Sequence, residues 1–156
     1  GSTGVKAVAA KDSITAIRIK SSRMLLAYGF LRKVFEVFEK YKTSIDMITT
    51  SEVAVSVTID SDIFLNEILK ELGAFGSIEV DSNQTIISVV GNEIADTEEV
   101  LSKLFACLTD IPVRMVSYGG SRHNVTILVP RPFKDQCLKA LNAGLFGLKE
   151  KESIRN

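Results

Sequence analysis

One order of elements occurs twice in this chain. From Ile17 to Ser77 the residue pattern reads strand, helix, strand, strand, helix, and from Thr85 to Leu148 it reads the same again. The interval from Gly29, where the first helix opens, to Met47 equals that from Thr97 to Met115. Each repeat is a βαββα run of the split βαβ, ferredoxin-like motif. The first run gains its fourth strand from Ser77–Asp81. The second has only the charged tail KEKESIRN after its last helix, so the stretch Val5–Lys11 is the strand left to complete its sheet. An open edge would otherwise invite aggregation. The fold class is therefore α+β: two ferredoxin-like βαββαβ domains, the first inserted in the second, whose sheet the N-terminal strand completes. The expected boundaries are 14–82 for the first domain and 5–12 plus 84–148 for the second. Residues 1–4 read as linker and 149–156 as a fraying tail.

The elements rest on periodicity. Val53, Val55, Val57 and Ile59 alternate with Ala54, Ser56, Thr58 and Asp60, a two-residue period that predicts a strand with one face on a core. Ile45–Thr49 is its hairpin partner across the polar corner Thr50-Ser51-Glu52. Asp12-Ser13 and Ser82-Asn83 read as breaks between strands. The first helix shows an apolar stripe of Phe30, Leu31, Val34, Phe35 and Phe38, with Arg32, Lys33, Glu36, Glu39 and Lys40 on its wet face. A second helix spans Ser61–Leu72, a third opens at Asp96 or Thr97, and a fourth starts at Pro132.

Composition excludes several classes. Lys+Arg and Asp+Glu both count 19 among 156 residues, so the chain lacks the basic footprint of a nucleic-acid binder. No apolar run reaches the roughly 20 residues a membrane span needs, and no secretory signal is visible. Cys107 and Cys137 fall at apolar helix positions, the pattern of free buried thiols in a reducing cytoplasm. The lone His123 reads as a loop residue. No His/Cys/Asp cluster has metal-ligand spacing, and one histidine supports no Ser–His–Asp arrangement. No catalytic residue is assigned.

Several strings carry a family resemblance. Met24-Leu25-Leu26-Ala27-Tyr28-Gly29-Phe30-Leu31 and Ser44-Ile45-Asp46 through Thr50-Ser51-Glu52 resemble the recurrent pieces of the first ACT domain of lysine-sensitive aspartate kinases. TIISVVGN and YGGSRHNVTILV resemble the second ACT domain of that family. The resemblance implies a regulatory region that binds free L-lysine for feedback inhibition of aspartate phosphorylation. It implies a homodimer whose ACT domains pair side by side, with effector pockets at the interface. It also implies a parent enzyme whose amino-terminal kinase domain uses ATP and Mg. No phosphate-cradling glycine loop stands in these residues, so the fragment is expected to be catalytically inactive and to need no cofactor or metal itself. The effector site implied by the match comprises Met24, Ala27, Gly29, Phe30, Leu31, Ser44, Ile45, Asp46, Thr50, Ser51 and Glu52. Leu26, Ala27 and Tyr28 occupy the variable middle of the loop.

The residue chemistry is compatible with an amino acid. The helix start at Gly29-Phe30-Leu31 offers unpaired N–H groups and a positive dipole end to a carboxylate. Gly29 has no Cβ to block the approach. Asp46 supplies a counter-charge for either ammonium of the ligand, and Ser44, Thr50 and Ser51 supply hydroxyls for the other. Two cationic ends and one anionic end fit lysine. In the second domain Arg114 stands where Asp46 stands in the first, so one type of effector site is expected. The alternatives are a stand-alone ACT sensor of another amino acid, or a dimerisation module. An acylphosphatase-like enzyme is disfavoured, because the loop after the first strand lacks a paired Arg and Asn.

Overall fold

The computed structural model describes residues 5–21, 29–91, 98–120 and 124–155. Its elements run β1 (Val5–Ser21), α1 (Phe30–Lys40), β2 (Ile48–Thr50), β3 (Ala54–Ile59), α2 (Leu65–Leu72), β4 (Gly76–Gly91), α3 (Glu98–Cys107), β5 (Met115–Ser117), β6 (Asn124–Pro130) and α4 (Lys134–Arg155). A 3₁₀ turn at Arg131–Phe133 leads into α4. The chain divides into two compact units, one of residues 13–84 and one of residues 1–12 with 85–156.

In the 13–84 unit the strand order is β2-β3-β1-β4. Antiparallel pairing sets Thr15 opposite Ile59 and Lys20 opposite Ala54, and sets Ile48 opposite Val57. That register points Ile17, Ile19, Val55, Val57 and Ile59 at one face, where Val34, Val37 and Phe38 of α1 and Ile68 and Leu72 of α2 close the core. Lys40 of α1 meets Glu71 of α2 at 3.0 Å. In the other unit the order is β1-β4-β6-β5, with Met115 opposite Leu128. Ile87, Val89, Val125, Ile127 and Val129 face Val100 and Leu104 of α3 and Cys137, Leu141 and Leu145 of α4. Val5 and Val8 pack on this core, so the N-terminal strand completes the sheet as its pattern implied.

Several local readings change. The breaks expected at Asp12-Ser13 and Ser82-Asn83 are not ends of strands, for β1 and β4 run through them unbroken. Ser13 and Asn83 take positive φ of 60° and 55°, so one left-handed residue bends each strand without ending it. The face of β3 expected to be wet is covered: all six residues from Ala54 to Ile59 are buried. Thr58 avoids an unpaired hydroxyl there by accepting the Met47 N–H at 2.8 Å. The stripe of α1 is rotated, burying Val37 and leaving Leu31 and Phe35 40% and 39% exposed. Helix α2 begins at Leu65 rather than Ser61, and α4 continues to Arg155 through the residues read as a tail. Asp96, Thr97 and His123 lie outside the described residues. Cys107 and Cys137 are free thiols, and burial first, then the nearby Cys107, pushes Cys137 up to about 11.

Asp12 anchors the N-terminal strand to its own unit. Its carboxylate accepts bonds from Lys134 Nζ at 2.7 Å and Thr85 Oγ1 at 2.9 Å, with Arg131 Nε at 3.5 Å. The Lys134 hydrogen bond, followed by that of Thr85, holds this carboxyl below the usual aspartate value. A depressed folded-state pKa stabilises the fold above the unfolded value near 3.8, and that contribution fades as pH falls through the lower folded value. Asp12→Asn is expected to melt below the wild type at pH 7, with the gap closing below about pH 4. Thermal melts at both pH values check this, and a gap that persists in acid would assign the loss to packing.

Candidate functional site

The first turn of α1 and the β2–β3 corner meet around a cavity of about 480 Å³ within the 13–84 unit. Gly29, Phe30, Leu31 and Arg32 form one wall, and Thr50, Ser51 and Glu52 form the other. Ser21, Val53 and Ala54 complete the lining. The Ser21 N–H donates to the Val53 carbonyl at 2.9 Å, which fixes the end of β1 against the corner.

Local chemistry explains the first wall. Gly29 is the N-cap of α1 at φ 90°, a left-handed backbone that side-chain-bearing residues avoid. Having no side chain, it cannot cap the helix itself. The first intrahelical bond runs from the Lys33 N–H to the Gly29 carbonyl at 2.9 Å, so the amides of Phe30, Leu31 and Arg32 have no partner within the helix. Phe30 is held by an edge contact with Phe75, ring centroids 6.1 Å apart. No acidic residue stands in the first turn. Arg32 occupies it instead, with its guanidinium folded back over Gly29, 3.6 Å from where a Cβ there would lie.

The second wall is a tight corner. Ser51 donates its N–H to the Ala54 carbonyl at 2.8 Å, and its hydroxyl oxygen accepts the N–H groups of Val53 and Ala54 at 3.4 and 3.2 Å. The hydroxyl thus shapes the corner that lines the cavity. Glu52 adds a carboxylate and Thr50 a second hydroxyl. The lining of the cavity is mainly apolar, with Arg32, Thr50, Ser51 and Glu52 bringing the polar groups to it.

Six of the residues expected at the site line this cavity: Gly29, Phe30, Leu31, Thr50, Ser51 and Glu52. Met24 and Ala27 lie outside the described residues. Ser44, Ile45 and Asp46 are not in its lining. Ile45 packs on the core, while Ser44 and Asp46 are exposed on the approach to β2. Asp46 is fixed through its backbone, whose N–H donates to the Thr58 carbonyl at 2.9 Å. Arg114 donates its N–H to the Leu128 carbonyl at 2.8 Å, so the two residues hold corresponding places in their hairpins. Arg32, Ser21, Val53 and Ala54 are lining residues that sequence reasoning missed. Arg32 was detectable: a cation in the first turn of a helix opposes the helix dipole, and placing it on the wet face overlooked that cost.

Among the described residues no three His, Cys, Asp or Glu side chains group as metal ligands, and no helix is long and apolar enough to cross a membrane.

Comparison with known proteins follows the same lines. The family model described as "ACT domain" matches residues 87–145. Lysine-sensitive aspartokinase 3 of Escherichia coli K12 is 33% identical over 149 residues, covering 90% of this chain and 33% of that protein. The chain spans about a third of the length of the curated relatives it matches. A chain from Porphyromonas gingivalis W83, described as a C-terminal regulatory domain of aspartate kinase, is 45% identical with a TM-score of 0.83. That match covers 92% of this chain and 99% of the other. E. coli aspartokinase III, solved in complex with lysine and aspartate in its T-state, matches at 33% identity and a TM-score of 0.81. It covers 92% of this chain and 33% of that one.

Proposed function

Since the chain belongs to the family of aspartate kinase C-terminal regulatory domains, with the ACT fold, we propose that it is a lysine sensor. Free L-lysine binds at the mouth of α1 and, through the longer enzyme, feedback-inhibits aspartate phosphorylation. The observation that carries this reading is the cavity where Gly29–Leu31 faces Thr50–Glu52. Its mainly apolar lining suits the aliphatic stem of lysine, and the residues around it carry donors for the α-carboxylate and a carboxylate with hydroxyls for an ammonium. The E. coli relative solved with lysine supports the choice of ligand.

The functional unit is a homodimer paired through its ACT domains. A ligand held between two copies ties their relative placement to its binding, which couples effector to activity. Asp46, exposed on the approach to β2, then meets an ammonium of that ligand. ATP and Mg belong to the kinase domain of the longer protein, and these 156 residues regulate without catalysing.

A thermal-shift screen against the proteinogenic amino acids tests the reading. Lysine at ~100 times its dissociation constant adds ~2.7 kcal/mol, a rise of several degrees for a chain of this size. Asp46→Ala is expected to weaken lysine by ~1.5–3 kcal/mol, the range for a hydrogen bond to a charged group. Unchanged lysine affinity in that variant would remove Asp46 from the site. A shift with a different amino acid would keep a sensor and replace the ligand. No shift with any would leave a dimerisation module.

A further inference from the structure

The first turn of α1 breaks the ordinary electrostatic rule for helices, and it does so at the cavity. It carries Arg32 and Lys33 and no acid, whereas α2 has Glu67 in its first turn. Cations at a helix N-terminus face the positive end of the dipole and destabilise the helix. Among the described residues Glu36 offers some relief, its Oε1 lying 3.6 Å from the Arg32 guanidinium. That pair is weak: the distance is long, the side chains are 72% and 58% exposed, and Arg before Glu is the less favourable order at this spacing. Arg32 is therefore held loosely, beside amides that lack helix partners and over a glycine that leaves the space open. A local rule broken with so weak a compensation points to a functional or a strained position, and the cavity beside Arg32 favours the first.

We propose that Arg32 is a specificity-determining residue of the effector pocket, exchanging its Glu36 contact for the α-carboxylate of the bound amino acid. The inference rests on the effector reading above. Guanidinium presents paired N–H donors that match a carboxylate in a fork, and the helix amides supply further donors to the same group. The carboxylate then neutralises the excess positive charge at the helix mouth. Without ligand, Arg32 costs α1 stability; with ligand, it adds affinity.

The two roles carry opposite signs, which makes them separable. Arg32→Ala and Arg32→Gln chains are expected to melt at or above the wild-type temperature without ligand. Their lysine affinity by titration calorimetry should be about fivefold weaker, a modest loss because the group is exposed. Lysine amide, which lacks the anionic carboxylate, should bind wild type and both variants alike. Glu36→Gln frees Arg32 and should bind lysine at least as tightly as wild type.

Lysine affinity unchanged by both Arg32 variants would overturn the proposal while leaving the sensor intact. An equal loss for lysine and lysine amide would also overturn it, by assigning Arg32 a structural role. Wild-type chain that binds no amino acid in the same titrations would overturn the sensor reading and this inference together.

Discussion

Gly76→Ala is expected to destabilise the 13–84 unit by ~1–3 kcal/mol, the range for overpacking in a close-fitted interior. Gly76 starts β4 where that strand passes the end of β1. A Cβ there would lie 2.7 Å from the Lys20 carbonyl oxygen and 2.9 Å from Ile19 Cγ2. The first neighbour is backbone and cannot swing aside, so β4 would have to move from β1 or lose pairing. In a chain of this length the melting temperature should fall by roughly 2–4 °C per kcal/mol. Valine, with two more methyl groups, should cost more than alanine. The exposed neighbour Ser77 is the control, and Ser77→Ala should leave the melting temperature near wild type. If Gly76→Ala melts like Ser77→Ala, the close approach of the two strands is not a constraint.

Gly29→Ala is expected to weaken lysine about tenfold. The space around Gly29 is adequate, since an added Cβ meets only the Arg32 side chain at 3.6 and 3.8 Å. The cost lies in the backbone: φ 90° is left-handed, which costs a residue with a Cβ ~1–2 kcal/mol. The chain can relax only by turning the N-cap, which re-aims the amides of Phe30, Leu31 and Arg32 away from the cavity. Gly29→Val adds β-branching and should lower affinity further. Calorimetry on both variants reads the effect. Wild-type affinity in Gly29→Val would mean that the first turn of α1 does not hold the ligand.

Much of this protein was legible because strands and helices carry periods that survive without coordinates. Alternation over Val53–Ile59 and the matching Gly29–Met47 and Thr97–Met115 intervals implied two ferredoxin-like units. An unpaired second edge identified the N-terminal strand as its missing partner. The strings around Gly29 and Thr50–Glu52 marked segments that the fold brings to one cavity.

What the sequence left open depended on distant neighbours. Ser13 and Asn83 looked like chain breaks, since polar residues with turn propensity most often end strands. Pairing along β1 and β4 outweighed that local preference and bent the strands instead. Alternation marked Ser56 and Thr58 as solvent-facing, but only tertiary packing could show that the second face of β3 is covered too. The apolar stripe of α1 admitted more than one rotation, and contact with the sheet and α2 chose Val37 over Phe35. Arg32 belongs to both levels. Its identity and first-turn position were written in the chain, but its reach over Gly29 into the cavity follows from how the helix start meets the β2–β3 corner. Periodicity is a property of neighbours along the chain, so sequence determined the elements and their order. Burial and pocket lining are properties of neighbours in space, and those the tertiary structure decided.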